Sequence, residues 1–201
     1  RPLEYLDQVG WMSDRTWLAH GIHFTPDEMA QMGKAGVGVA HCPSSNHLLA
    51  SGHCPIKDLE AAGVTAGLAV DGSASSDCSN LMQEVRQAFF LQRIHYGAAN
   101  ITHFDAFDWA TKGSAKILGR DDIGEIAVGK QADVALFKMD ELRFSGAGDP
   151  LAALVLCGAH KADRVMVQGN WRVIDGEIPG LDIHGLMQAH QMEAMKLQGL
   201  I

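Results

Sequence analysis

Three short apolar runs near the start of the chain each end in a residue that can bind a metal ion or carry a proton. The runs are TWLAH at 16–20, VGVAH at 37–41 and TAGLAVD at 65–71. Each is followed by a polar loop and then by a helical pattern, an alternation that is typical of parallel β/α units. Because β/α barrels carry their chemistry at the carboxyl ends of the strands, we expect His20, His41 and Asp71 to share one face of a partial barrel.

The helical patterns carry recognisable start and stop signals. Thr25 can cap a helix, Pro26 suits the first helical position, and Glu28 completes a capping box with Thr25. Gly36 is a typical C-terminal stop for that helix. Similar patterns predict further helices at 3–10, 55–62, 80–96 and 103–118.

The pattern changes after residue 118. Residues 123–137 are β-rich and interrupted by glycine, and a hairpin is predicted to turn at Gly169 and Asn170. A polar-faced helix is predicted at 183–197 and is expected to pack on the surface. The predicted α/β fold therefore has a partial barrel at 1–118, a portion of a small β-sandwich at 119–180 and a C-terminal helix at 181–201.

Composition and charge restrict the class of partner. The chain is 47% hydrophobic and 20% charged, with a net charge of −8 and no run of Lys or Arg. This balance argues against nucleic acid or an anionic membrane as a partner and favours a small ligand. No apolar stretch approaches the roughly 18 residues of a transmembrane helix.

The cysteines indicate the redox compartment of the chain, and its first residues indicate whether it is part of a longer protein. Its four cysteines form no Cys-x-x-Cys motif, so neither a zinc knuckle nor a disulfide framework is indicated. A reducing cytoplasm is therefore expected. Because the first residue, Arg1, is neither an initiator methionine nor the start of a signal peptide, we expect the chain to be part of a longer protein.

Asp71 and His20 are the leading candidates for chemistry. A carboxylate at the end of an apolar strand costs several kcal/mol to bury unless it is paired or bound to metal. Asp71 is therefore interpreted as a metal ligand and proton acceptor, with a loop cap as the alternative. A single histidine such as His20 is often a satisfied core residue, but its place in a series with Asp71 favours function.

The segment that follows the second run is the next candidate. His41 precedes Cys-Pro-Ser-Ser-Asn, so it can either bind substrate or brace the loop. Asn46 is a good hydrogen-bonding residue there, although asparagine is also common in turns. The other histidines have no strand-end context and are predicted to be surface or capping residues, namely His23, His47, His53, His95, His103, His160, His184 and His190.

Four motifs occur in an order that is known from one superfamily. They are AHGIH at 19–23, AHCPSSN at 40–46, VDGSAS at 70–75 and GEIAVGKQAD at 124–133. Together they resemble the metal-dependent amidohydrolase superfamily, in the branch of cytosine, guanine and adenosylhomocysteine deaminases and triazine hydrolases. The run at 71–96 is most similar to 8-oxoguanine deaminases and hydroxytriazine hydrolases.

The resemblance implies a fold and a site. The fold is the C-terminal part of a (β/α)8 TIM-type barrel, followed by part of a small β-sandwich and a terminal helix. The site holds one zinc or iron ion per chain, and Asp71 at the end of the eighth strand is a metal ligand that also takes and returns protons. His20 on the sixth strand orients the attacking water, and the candidates for substrate binding are His41 on the seventh strand and Asn46 in the loop after it.

The implied activity is hydrolytic deamination of an amino-substituted heterocycle, first of all 8-oxoguanine to urate and ammonia. Alternatives are a triazine hydrolase that releases an alkylamine or chloride, an adenosylhomocysteine-type deaminase, and a metal-free scaffold on the same fold. A small-molecule substrate and a homo-oligomer are expected. The superfamily's first-strand His-x-His pair, fifth-strand histidine and nearby glutamate have no counterpart in the 201 residues, so we expect the chain alone to bind metal weakly and not to turn over.

Overall fold

The first half of the chain forms a parallel sheet whose strands are joined by helices. The computed structural model describes residues 1–200. Its first sheet consists of β1 (Trp17–Ala19), β2 (Gly38–His41) and β3 (Thr65–Leu68). The order is β1–β2–β3, and Val39 in the centre pairs with Leu18 on one side and Ala66 on the other. Parallel strands in chain order with helical crossovers are the predicted β/α units.

Helices cover and connect this sheet. They are α1 (Pro2–Gln8), α2 (Pro26–Ala35), α3 (Pro43–Leu48), α4 (Ile56–Ala61), α5 (Leu81–Tyr96), α6 (His103–Asp108), α7 (Ser114–Ile117), α8 (Pro150–Leu156) and α9 (Ile183–Leu197). The short helix α3 corrects the prediction that the run ending at His41 is followed by a polar loop. Proline at its first position has the φ angle that a helix requires, which helps a helix to start there despite its polar sequence.

The local signals around α2 act as predicted. The Thr25 hydroxyl accepts a hydrogen bond from the Glu28 N–H at 3.2 Å, and the Glu28 carboxylate accepts one from the Thr25 N–H at 2.8 Å. Gly36 ends the helix in the left-handed conformation, with φ of 78°. The predicted capping box and glycine stop are both confirmed.

The predicted helix at 103–118 is not regular. A π-helical turn, Trp109–Gly113, separates α6 from α7. At Gly113 the backbone approaches β3 so closely that a Cβ atom would lie 2.1 Å from the carbonyl oxygen of Ala66. The irregular turn therefore lies against the sheet at a position that only glycine fits.

We expect Gly113→Ala to destabilise the full-length protein by about 1–3 kcal/mol, since the added methyl group must displace backbone rather than a flexible side chain. The measurement is the melting temperature, which should fall by several degrees. Gly148→Ala is the control, because no atom lies within 4 Å of the Cβ position there. Equal melting temperatures for the two variants would contradict the close approach at Gly113.

The main core lies between the parallel sheet and its helices. Its largest fully buried apolar side chains include Met32, Ile56, Leu59 and Ile101. Val155 of α8 belongs to the same core, and α8 packs on α5 and α6. A helix that follows the predicted boundary at 118 thus contributes to the packing of the part before it, while the three-part division itself stays a prediction.

A second sheet forms in the other half of the chain. Its strands β4 (Val134–Leu136), β5 (Arg164–Val167) and β6 (Asn170–Val173) are antiparallel in the order β4–β5–β6. The turn between β5 and β6 uses Gln168 and Gly169, with φ of 52° and 75°, so the prediction of a turn at Gly169 and Asn170 is wrong by one residue. Tight hairpin turns of this kind need positive φ at both central residues.

The C-terminal helix forms over the predicted residues. No residue of α9 is buried, so the helix packs on the surface less closely than expected. Met195 is intermediate in exposure, and the other larger apolar side chains remain at least about half exposed, namely Ile183, Leu186, Met187, Met192 and Leu197. Within residues 1–200, no helix combines the length and apolar character that crossing a membrane requires.

Candidate active site

His20 directly follows β1, and Asp71 lies three residues after the end of β3. Both residues have left-handed backbone conformations. Their φ angles are 69° and 63°, which is uncommon for residues other than glycine. Both strands end earlier than predicted: β1 ends at Ala19, directly before the left-handed His20, and β3 ends at Leu68, three residues before Asp71. Non-glycine residues in this region are concentrated at functional sites, where the surrounding structure holds them in place.

The two side chains meet in an open space at the carboxyl edge of the sheet. His20 Nε2 lies 3.8 Å from Asp71 Oδ2, and the side chains are 38% and 31% exposed, respectively. Both atoms can therefore reach a ligand from solvent. The structure brings together the two residues that the sequence predicts to be catalytic, although they are 51 positions apart (71 − 20).

Hydrogen bonds hold the Asp71 carboxylate from two sides. Its Oδ1 accepts the Gly72 N–H at 2.8 Å, and its Oδ2 accepts the Ser75 hydroxyl at 3.2 Å. The Ser45 hydroxyl in turn donates to Ser75 Oγ at 2.9 Å. The Ser45 hydroxyl, which also lies close to the carboxylate, and then the Gly72 N–H lower the pKa of Asp71 below its ordinary value, so the group is a carboxylate at neutral pH.

Asn46 joins two histidines through its side-chain amide. Its Oδ1 lies 2.8 Å from His20 Nδ1, and its Nδ2 lies 3.4 Å from His41 Nδ1. An amide oxygen accepts and an amide nitrogen donates, so this network assigns a proton to His20 Nδ1 and none to His41 Nδ1. In the neutral ring, His20 Nε2 then carries the lone pair, and this atom faces Asp71.

His41 and Asn46 are more deeply buried than substrate-binding residues need to be. They are 1% and 2% exposed, and His41 Nε2 has no hydrogen-bond partner among residues 1–200. Burial, and then the neighbouring His53, lower the pKa of His41 to about 3, so its ring is neutral. Contact of these two residues with substrate stays a prediction, whereas their contacts with each other and with His20 are direct.

Cys42 is the third potential ligand beside His20 and Asp71. One ligand atom from each of the three residues lies within 4.8 Å of the others. Burial raises the pKa of the Cys42 thiol to about 11, which disfavours the thiolate that metal binding requires. Asp71, which is already ionised, is therefore the readiest donor of the three.

Sequence reasoning missed two residues that support the site. Ser75 holds Asp71, and the carboxylate of Glu84 in α5 accepts a hydrogen bond from the backbone N–H of Ser44 at 2.9 Å. A signal for Glu84 does exist, because it lies on the same helical face as the buried residues Ala88 and Gln92. A charged residue on the buried face of a helix needs an explanation.

Two histidines predicted to be surface or capping residues instead stack on each other. The rings of His53 and His95 lie 4.2 Å apart between centroids and line an open pocket of about 620 Å³. Burial of His53, and then its contact with His95, lower the pKa of His53 to about 4. Burial and, to a lesser extent, the stack therefore hold His53 in its neutral form.

The stability of the full-length protein should fall as the pH is lowered from about 6.5 to about 4, where His53 differs in protonation between the folded and unfolded states. The unfolded chain protonates this ring near 6.5 and the folded chain only near 4, so the unfolded state binds more protons between these values. His53→Phe keeps an aromatic ring and cannot titrate, so its melting temperature should fall less between about pH 7.5 and about pH 5. The slope should be reduced rather than abolished, because His41 acts in the same direction.

The exposed His184 provides the control, since His184→Phe should keep the full pH dependence of the parent. Identical pH dependence in the parent and in His53→Phe would show that the folded protein does not hold His53 neutral.

Comparison with known proteins identifies relatives of the whole chain. The model of the amidohydrolase family matches residues 1–172. The chain is 61% identical to 8-oxoguanine deaminase of Pseudomonas aeruginosa over 98% of its own length and 44% of that protein. It is 36% identical to hydroxydechloroatrazine ethylaminohydrolase of a Pseudomonas species over 94% of its length and 40% of that protein. The chain therefore spans less than half the length of these relatives.

Solved structures support the same grouping. A zinc-bound adenosine deaminase of Xanthomonas campestris has a TM-score of 0.93 and 31% identity, over 99% of this chain and 46% of that one. Atrazine chlorohydrolase of Arthrobacter aurescens, complexed with zinc, has a TM-score of 0.89 and 30% identity, over 95% of this chain and 43% of that one. These matches confirm the predicted fold class and resemblance. The chain belongs to the amidohydrolase family.

Proposed function

We propose that the full-length protein is a metal-dependent hydrolase that deaminates an amino-substituted heterocycle, with 8-oxoguanine converted to urate and ammonia. The observation that carries this proposal is the approach of His20 Nε2 to Asp71 Oδ2, 3.8 Å apart in an open space at the strand ends. The identity of 61% to an 8-oxoguanine deaminase supports the choice of substrate.

The donors beside this space fit a zinc or iron ion. Zinc binds carboxylate oxygen and imidazole nitrogen at about 2.0–2.2 Å, and such a site keeps one position for water. Asp71, ionised and held by hydrogen bonds on both oxygens, would bind the ion. When bound, the ion supplies Lewis acidity and lowers the pKa of water. Three protein ligands are usual, so we place the others in the part of the relatives that this chain does not span.

The residues of this chain would orient water and move protons. Asp71 is ionised at neutral pH, so its Oδ2 can accept a proton from the attacking water and return it to the departing nitrogen. In its neutral form, His20 presents the Nε2 lone pair beside that oxygen and can accept a hydrogen bond from the same water. Asn46 fixes the ring in the tautomer that this role requires. One divalent ion per chain is sufficient for this scheme.

A second candidate differs only in the leaving group. The 36% identity to a hydroxydechloroatrazine ethylaminohydrolase favours release of ethylamine from a hydroxytriazine. Asp71 and His20 would act in the same way, because both reactions displace an amine from a ring carbon.

The test combines metal content with product release by the full-length protein. The substrates are 8-oxoguanine, guanine, cytosine and a hydroxytriazine, with assays for ammonia and ethylamine. We expect about one zinc or iron ion per chain and ammonia from 8-oxoguanine. Ethylamine from the hydroxytriazine would select the second candidate. A protein that binds no metal would overturn both and favour the scaffold interpretation.

A further inference from the structure

Glu84 in α5 is a buried carboxylate between the two segments that carry the reacting groups. It is 1% exposed, its Oε2 accepts the Ser44 N–H at 2.9 Å, and its Oε1 lies 3.5 Å from the Ser76 hydroxyl. Within residues 1–200, no Lys, Arg or His forms an ion pair with it. Burying a carboxylate without an ion-pair partner costs free energy. The two contacts of Glu84 indicate its role.

The first contact caps α3 from a different helix. The N-cap residue of α3, Cys42, makes no capping hydrogen bond through its side chain. The carboxylate of Glu84 instead accepts the otherwise free Ser44 N–H in the first turn, where negative charge is favourable. Gln87, one turn further along α5, donates to the Ser44 hydroxyl at 2.9 Å and strengthens the attachment.

The capped turn reaches both reacting groups. Ser45 follows Ser44 directly and donates to Ser75, which donates to Asp71. Asn46 comes next and accepts the hydrogen bond of His20.

The second contact attaches the other segment to the same carboxylate. Ser76, beside Ser75 in the loop after Asp71, is 4% exposed and directs its hydroxyl toward Glu84. Through one side chain, α5 thus contacts the turn that orients His20 and the loop that holds Asp71.

We propose that Glu84 is a positioning residue, which sets the placement of His20 and Asp71 without touching substrate. The inference deepens the proposed function and rests on it for the catalytic readout. Its structural and metal-binding readouts do not depend on which heterocycle is the substrate.

The experiment compares variants of the full-length protein. Glu84→Met removes the acceptor, Glu84→Asp keeps the charge but withdraws it by one methylene group, and Glu84→Gln keeps an oxygen for the Ser44 N–H. For Met and Asp we expect zinc affinity, measured against a competing chelator, to fall by about 10- to 100-fold. Their kcat should fall at least about tenfold, with KM changed less than about threefold. Glu84→Gln should stay within about threefold of the parent in zinc affinity and kcat, because the capping bond is retained.

A readout without metal tests the cap itself. Amide hydrogen exchange should accelerate in α3 for Glu84→Met and Glu84→Asp and stay unchanged in α4, which Glu84 does not contact. Gln92→Met is the matched control, since Gln92 is buried on the same face of α5 but bonds to the Cys54 carbonyl at 2.9 Å. That variant should lose stability while it keeps the zinc affinity and the slow exchange of α3.

The outcomes separate the two proposals. An inactive parent that binds zinc would reject the proposed substrates, while zinc affinity and exchange would still test Glu84. Unchanged zinc affinity and exchange in a folded Glu84→Asp would overturn the positioning role. Equal losses in Gln92→Met would also overturn it, because they would reflect general destabilisation. Should Glu84→Met not fold, Glu84→Asp decides the question.

Discussion

Asp71→Asn in the full-length protein is expected to lower kcat by about 10⁴-fold and to empty the metal site. Asparagine has nearly the same shape, but it carries no charge for the ion and no basic oxygen for a proton. Loss of a general base alone typically costs up to about 10⁴-fold, and a zinc ligand is lost at the same position. The measurements are kcat with 8-oxoguanine and metal content after dialysis.

Asp77→Asn is the control for the Asp71 variant. Asp77 is an exposed carboxylate in the same loop, so its replacement removes one charge without reaching the site. We expect full metal content and activity. Full activity in Asp71→Asn would show that Asp71 is neither a metal ligand nor a general base. If the variant kept its metal but lost its activity, only the proton-transfer role of Asp71 would remain.

The second large effect is expected from Asn46, which fixes the tautomer of His20. Asn46→Leu removes the oxygen that accepts the Nδ1 proton, so the His20 lone pair is no longer held toward Asp71. We expect kcat to fall by about 100-fold, the upper range for residues that orient a site. Nitrogen-15 chemical shifts of the His20 ring should change from one tautomer to a mixture.

Asn46→Asp distinguishes orientation from loss of packing. A carboxylate still accepts the Nδ1 proton, so the tautomer and much of kcat should be kept. The added charge favours the protonated imidazole, so the acid side of the pH–rate profile should move to higher pH. Equal damage by Leu and Asp, with no movement of the profile, would mean that Asn46 acts only by filling space.

The features that the sequence predicted correctly are those that depend on residues close together in the chain. The capping box of α2 and the glycine at Gly36 are local signals, and the structure realises both. Apolar runs of three to four residues were enough to find the strands and therefore to bring His20 and Asp71 to one edge. In a parallel sheet the strand ends coincide whatever the loops between them do.

What could not be predicted depends on contacts between distant segments. Glu84 meets Ser44 across 40 positions, and no local pattern encodes that distance. The π-helical turn lies where Gly113 approaches Ala66, which belongs to another element. The hairpin prediction failed because Gln168 occupies a left-handed position that glycine or asparagine usually signals.

The left-handed conformations of His20 and Asp71 affect how mutational scans of this protein are interpreted. A left-handed residue costs roughly 1–2 kcal/mol for most side chains, whereas glycine, asparagine and aspartate adopt it readily. Alanine or valine at either position therefore changes the backbone as well as the chemistry, and low fitness would combine a folding defect with a catalytic one. Asparagine and glycine keep the backbone conformation, so only their scores report the chemistry of these two positions.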